Sequence, residues 1–78
     1  MEVTVKLYTL LKKYGEGKIG NDGLLSLPGD ETLQGLSEYL SIPKRMGKVF
    51  LVNGMPKDDR YRLCNGDEVK ILSFIGGG

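Results

Sequence analysis

Asp30-Glu31-Thr32-Leu33-Gln34-Gly35-Leu36-Ser37-Glu38-Tyr39-Leu40 carries the main helical signal of the chain. Leu33, Leu36 and Leu40 recur at spacings of three and four, the period of an amphipathic helix. Before them, Asp30, Glu31 and Thr32 supply the acidic and hydroxyl side chains that suit a helix N-terminus. Gly35 weakens the helix interior by about 1 kcal/mol relative to Ala, which points to a close neighbour at that position. Pro43 falls where the helix has already ended.

Strand signals lie on both sides of this segment. Glu2 to Thr9 alternates, with Val3, Val5 and Leu7 on one side and Thr4, Lys6 and Tyr8 on the other, a half-buried strand. Leu10 to Tyr14 extends it into a helical turn. Gly15 to Gly23 is rich in glycine and polar residues and reads as a mobile loop. Leu24 to Leu27 is a second short strand, closed by Pro28-Gly29. Lys48 to Val52 is a third, followed by Asn53-Gly54, a tight-turn signal. Asn65-Gly66 marks another turn. Glu68 to Ile75 is the last strand, with Val69 and Ile71 on one face and Lys70, Leu72 and Phe74 on the other. One helix covers one face of a sheet. A helical crossover lets the first and last strands pair in parallel at the centre. The expected fold is α+β, a β-grasp with a mixed four- to five-stranded sheet.

The chain has 78 residues, enough for one domain over 1–75 with a glycine tail at 76–78. So short a chain buries a limited core, and a deep catalytic cleft is not expected. The net charge is +1, without the basic excess that nucleic-acid binding requires. Lys44, Arg45 and Lys48, with Lys57, Arg60 and Arg62, read as a solvated rim or as a patch for an acidic partner. Met1 to Lys6 has no basic stretch followed by an apolar core, so no signal peptide is expected, and the longest apolar run, Val49 to Val52, is too short to span a bilayer. One cysteine, Cys64, makes no internal disulfide, which fits a reducing compartment. A cytoplasmic protein without membrane or nucleic-acid partners is expected.

Catalytic constellations are missing. Without histidine there is no Ser-His or Cys-His pair, and one cysteine excludes the usual zinc sites, so no metal is expected. Asp58-Asp59 and Asp67-Glu68 read as solvated turns, and Cys64 as a small structural residue. Gly15-Glu16-Gly17 is not followed by Gly-Lys-Ser/Thr and is no phosphate cradle. A self-sufficient enzyme is not expected.

Val52-Asn53-Gly54, then Leu63-Cys64-Asn65-Gly66-Asp67-Glu68-Val69, then Gly76-Gly77-Gly78 resemble the sulfur-carrier family of MoaD and ThiS. The opening Val5-Lys6-Leu7-Tyr8-Thr9-Leu10-Leu11-Lys12, the glycine-rich loop, and Thr32-Leu33 with Leu36, Leu40 and Ile42-Pro43 are closer to MoaD, the small subunit of molybdopterin synthase. Ser73-Phe74-Ile75, without the prolines of many MoaD sequences, looks closer to ThiS, the thiazole sulfur carrier.

The resemblance implies a chemistry. The Gly78 carboxylate would be adenylated by a ubiquitin-activating-like adenylyltransferase of the MoeB or ThiF type, which uses ATP. A sulfide equivalent would then displace AMP, leaving a thiocarboxylate. An acceptor synthase subunit, MoaE-like or a thiazole synthase, would receive the sulfur. The carrier itself would bind no cofactor stably. Gly76 and Gly77 suit this because a backbone without Cβ threads narrow channels. Three extended residues reach roughly 10 Å, at about 3.3–3.6 Å each. A frayed terminus is the plain alternative.

With Phe50, Val52, Val69 and Ile71 inward, Val49, Leu51, Leu72 and Phe74 face outward near Tyr8 and next to Ile75. Such a patch reads as a partner-docking surface, or as edge residues shielded by lysine stems. Three functions stay open: a sulfur carrier for molybdopterin, its tungsten counterpart or thiamine; a protein modifier joined through Gly78; and a plain interaction module.

Overall fold

The structure, a computed structural model, describes residues 1–73. Phe74, Ile75, Gly76, Gly77 and Gly78 lie outside the described residues. Five strands, β1 (Glu2–Leu7), β2 (Leu24–Ser26), β3 (Lys48–Val52), β4 (Met55–Lys57) and β5 (Glu68–Ser73), form one sheet in the order β2-β1-β5-β3-β4. β1 and β5 are parallel, and every other neighbouring pair is antiparallel. Among the described residues, a single α-helix, α1 (Leu33–Tyr39), and a 3-10 helix, Thr9–Gly15, complete the fold. This is the β-grasp, with the parallel pair at its centre.

The helix starts and stops for identifiable reasons. Thr32 is the N-cap, its hydroxyl accepting from Gly35 N at 3.2 Å. Leu33 N and Gln34 N, which have no intrahelical acceptor, donate to Tyr61 O and Asp59 O at 3.0 and 2.8 Å. At the other end Ser41 takes a left-handed φ of 62°. Ser41 N donates to Glu38 O and Ile42 N to Ser37 O, at 2.9 and 3.0 Å, which is the Schellman closure with Ile42 as its buried apolar partner. The close neighbour at Gly35 is the Glu31 carboxylate, which occupies the space a Cβ would need.

The core lies between α1 and one face of the sheet. Leu33, Leu36 and Leu40 meet Val3, Val5, Phe50, Val52, Val69 and Ile71, all at most 5% exposed. Leu11 from the 3-10 helix and Leu63 close the two ends. Removing any one of the large aliphatic groups should cost about 2–5 kcal/mol, because a cavity adds to the lost transfer energy.

Three local features differ from the sequence reading. The first strand ends at Leu7 because Thr9 turns into the left-handed region at φ 51°. The stretch after Asn53-Gly54 contains β4, since positive φ at both turn residues closes a two-residue hairpin. The glycine-rich loop is tied at several points: Val5 N donates to Gly23 O at 2.8 Å, Gly20 N to Leu24 O at 3.1 Å, and Lys18 Nζ to Tyr39 O at 2.8 Å.

Candidate functional site

Among the described residues, no helix covers the face of the sheet away from α1. Across it, register aligns Lys6 with Lys70, Lys70 with Leu51, and Leu51 with Pro56. The next row aligns Leu72 with Val49, and Tyr8, still extended, donates its N–H to Ile71 O at 3.3 Å beside them. Val49, Leu51 and Leu72 are half-buried, while Phe50, Val52, Val69 and Ile71 are buried on the opposite face. The period of two therefore sorts these residues as the sequence reading assigned them. Phe74 and Ile75 lie outside the described residues.

The edges of the sheet are poor alternatives for pairing with another chain. On β4, Pro56 offers no N–H. On β2, Leu24 N donates to Asp22 Oδ1 and Leu24 O accepts from Gly20 N, both at 3.1 Å, so the glycine-rich loop already occupies that edge.

The end of β5 meets the 3-10 corner. Thr9 Oγ1 lies 3.2 Å from Ser73 Oγ and donates to Tyr8 O at 2.8 Å. Leu10 stands 62% exposed at this corner, anchored by the fully buried Leu11. Central pairing on both sides fixes the point from which the remaining residues, 74–78, continue.

The Asn-Gly motifs lie at the other end of β5, roughly 17 Å away at about 3.3 Å per strand residue. There Asp67, only 6% exposed, joins the two turns. Its carboxylate accepts from Cys64 N at 2.8 Å, Asn53 Nδ2 at 3.0 Å and Tyr61 OH at 3.4 Å. Asn53 Oδ1 accepts from Glu68 N at 2.9 Å, and Asn65 Oδ1 from Glu2 N at 2.8 Å. Reading Asp67 as part of a solvated turn is thus corrected: it is a buried brace. The Cys64 thiol is exposed, and the backbone of Cys64, not its side chain, takes part in the brace. Tyr61 titrates above its ordinary value, because partial burial and the Asp67 carboxylate disfavour the phenolate.

The basic residues of the rim are mostly engaged. Lys48 Nζ donates to Met46 O at 3.1 Å, and Lys44 pairs with Glu38 at 3.7 Å. Arg60 pairs with Asp58 at 3.4 Å, and its backbone N–H and guanidinium hold the Asp58 carboxyl below its ordinary value. Lys57 lies over the Tyr61 ring. A groove of about 190 Å³ between α1 and β3 is lined by Lys44, Lys48, Glu38 and Asp59 over Phe50, with both signs of charge. Among the described residues no cluster of His, Cys, Asp or Glu could hold a metal ion, and no helix is long and apolar enough to cross a membrane.

Sheet order, crossover and the single covering helix define a small ubiquitin-like protein. Residues 9–78 match the ThiS family, and the chain belongs to that family. Among solved structures it is similar to SAMP1 from Haloferax volcanii, with a TM-score of 0.69 and 18% identity over 100% of each chain. At that identity the likeness bears on the fold alone. No curated protein sequence matches the chain.

Proposed function

We propose that this protein is a sulfur carrier whose Gly78 carboxylate is the working group, acting in molybdopterin synthesis. The observation that supports this reading most is the ThiS-family match, which runs through Gly76, Gly77 and Gly78. A carboxylate oxygen of Gly78 attacks the α-phosphorus of ATP in a partner adenylyltransferase of the MoeB or ThiF type, and pyrophosphate leaves. A sulfide equivalent then attacks the acyl carbon, AMP leaves, and the chain ends in a thiocarboxylate. A MoaE-like acceptor subunit takes the sulfur. Gly76 and Gly77 thread the active site of each partner. Val49, Leu51 and Leu72, with Phe74 and Ile75, dock the body, since both sheet edges are blunted and the face beside the end of β5 is not.

The proline-free Ser73-Phe74-Ile75 favours a second pathway, delivery to a thiazole synthase in thiamine synthesis. Intact mass after incubation with the adenylyltransferase, ATP and a sulfur donor tests the carrier reading. The expected product is heavier by the difference between sulfur and oxygen. Conjugates of the chain on lysines of other proteins would show a modifier instead. Transfer to a MoaE-like subunit, rather than to a thiazole synthase, separates the pathways.

A further inference from the structure

Lys6 and Lys70 stand directly opposite one another on the parallel pair at the centre of the sheet. Like charges in that position repel and destabilise a sheet. Neither lysine forms an ion pair or lies over an aromatic ring among the described residues; the two ion pairs there are Lys44–Glu38 and Arg60–Asp58. Glu68, two residues before Lys70 on the same face, sits opposite Thr4 and is in neither ion pair. The paired cations adjoin Leu51, and the row beyond is Leu72 with Val49. The centre of the free face, at Lys6 and Lys70, is therefore a cationic spot bordered by apolar side chains.

We propose that Lys6 and Lys70 are a specificity element that reads carboxylates on the docking protein, set next to an apolar patch that meets Leu51, Leu72 and Val49. This rests on the docking role assigned to that face above. Charge complementarity identifies the occupant: two lysines directly opposite one another, neither in an ion pair among the described residues, are relieved by an acidic surface. A nucleic acid fits less well, because two cations bordered by aliphatic groups on a chain of net charge +1 neutralise few phosphates. The same lysines would simply keep an apolar face soluble if they had no partner.

Opposed effects on stability and binding separate these roles. Lys6→Glu places a carboxylate beside Lys70, so the melting midpoint should rise or hold. Affinity for the adenylyltransferase, measured by titration calorimetry, should fall about tenfold or more. Lys6→Arg with Lys70→Arg should retain affinity, and wild-type affinity should weaken as salt is raised. Wild-type affinity in Lys6→Glu, or loss of affinity to a phosphate-rich probe such as single-stranded RNA only, would overturn the proposal. Lysine-dependent binding without any adenylation of Gly78 would support the docking element and refute the carrier chemistry. Absence of wild-type binding would overturn both.

Discussion

The two faces of this sheet are built from the same strands and differ by one residue in register. On the α1 side, Val69 and Ile71 are fully buried; on the other, Lys70 and Leu72 stay half-exposed with no element of the described chain over them. One face holds the protein together, and the other is free to be covered by something else. A chain this small has few apolar side chains to spare for a surface. Val49, Leu51 and Leu72 face outward with Lys6 and Lys70 beside them, an arrangement that the docking role proposed above would put to use.

The contrast can be broken most directly by matched substitutions on one strand pair. Ile71→Ala should lower the unfolding free energy by about 2–5 kcal/mol in urea titration. Leu51→Asp should keep the fold and abolish partner binding; equal stability losses at both sites would mean that the free face is core as well. Next in size is Asp67→Ala, expected to cost about 1–3 kcal/mol by orphaning the Cys64 N–H and the Asn53 amide, with faster hydrogen exchange at Cys64 as its signature. Gly54, at φ 85°, comes third. Gly54→Ala should cost about 1–2 kcal/mol by forcing a side chain into a left-handed turn. Gly29→Ala, in open space, should be nearly neutral.

The smallest expected effect depends on pH. The Tyr61 pKa is raised in the folded chain by partial burial and the Asp67 charge. Its contribution is therefore complete below the unfolded tyrosine value near 10 and is lost as pH climbs through the folded value. Alkaline unfolding curves should show that loss, and Tyr61→Phe should flatten it.

Much of this contrast is legible in the sequence. Alternation from Val3 to Leu7 and from Val69 to Leu72 fixes which residues face the helix, and the Leu33-Leu36-Leu40 spacing supplies what covers them. Less legible is what depends on registry between distant strands. That Lys6 faces Lys70 follows from a parallel pairing closed over more than half the chain. Asp67 looks solvated beside Asn65-Gly66 because its partners Asn53 and Tyr61 come from other turns. Thr9 breaks the first strand with a left-handed φ that its residue type disfavours, so propensity extends the strand too far. The working end proposed for the chain, Gly76-Gly77-Gly78, is legible only in the sequence and in the family match that runs through it.

In the function proposed above, the partner enzyme activates the Gly78 carboxylate, delivered by a body docked through the free face of the sheet. ATP–pyrophosphate exchange by the adenylyltransferase, driven by the wild-type chain and by a chain extended by alanine after Gly78, tests it most directly. Exchange is expected with the first and almost none with the second, while both bind with similar affinity. Equal exchange with the extended chain, or none with the wild type despite binding, would contradict it.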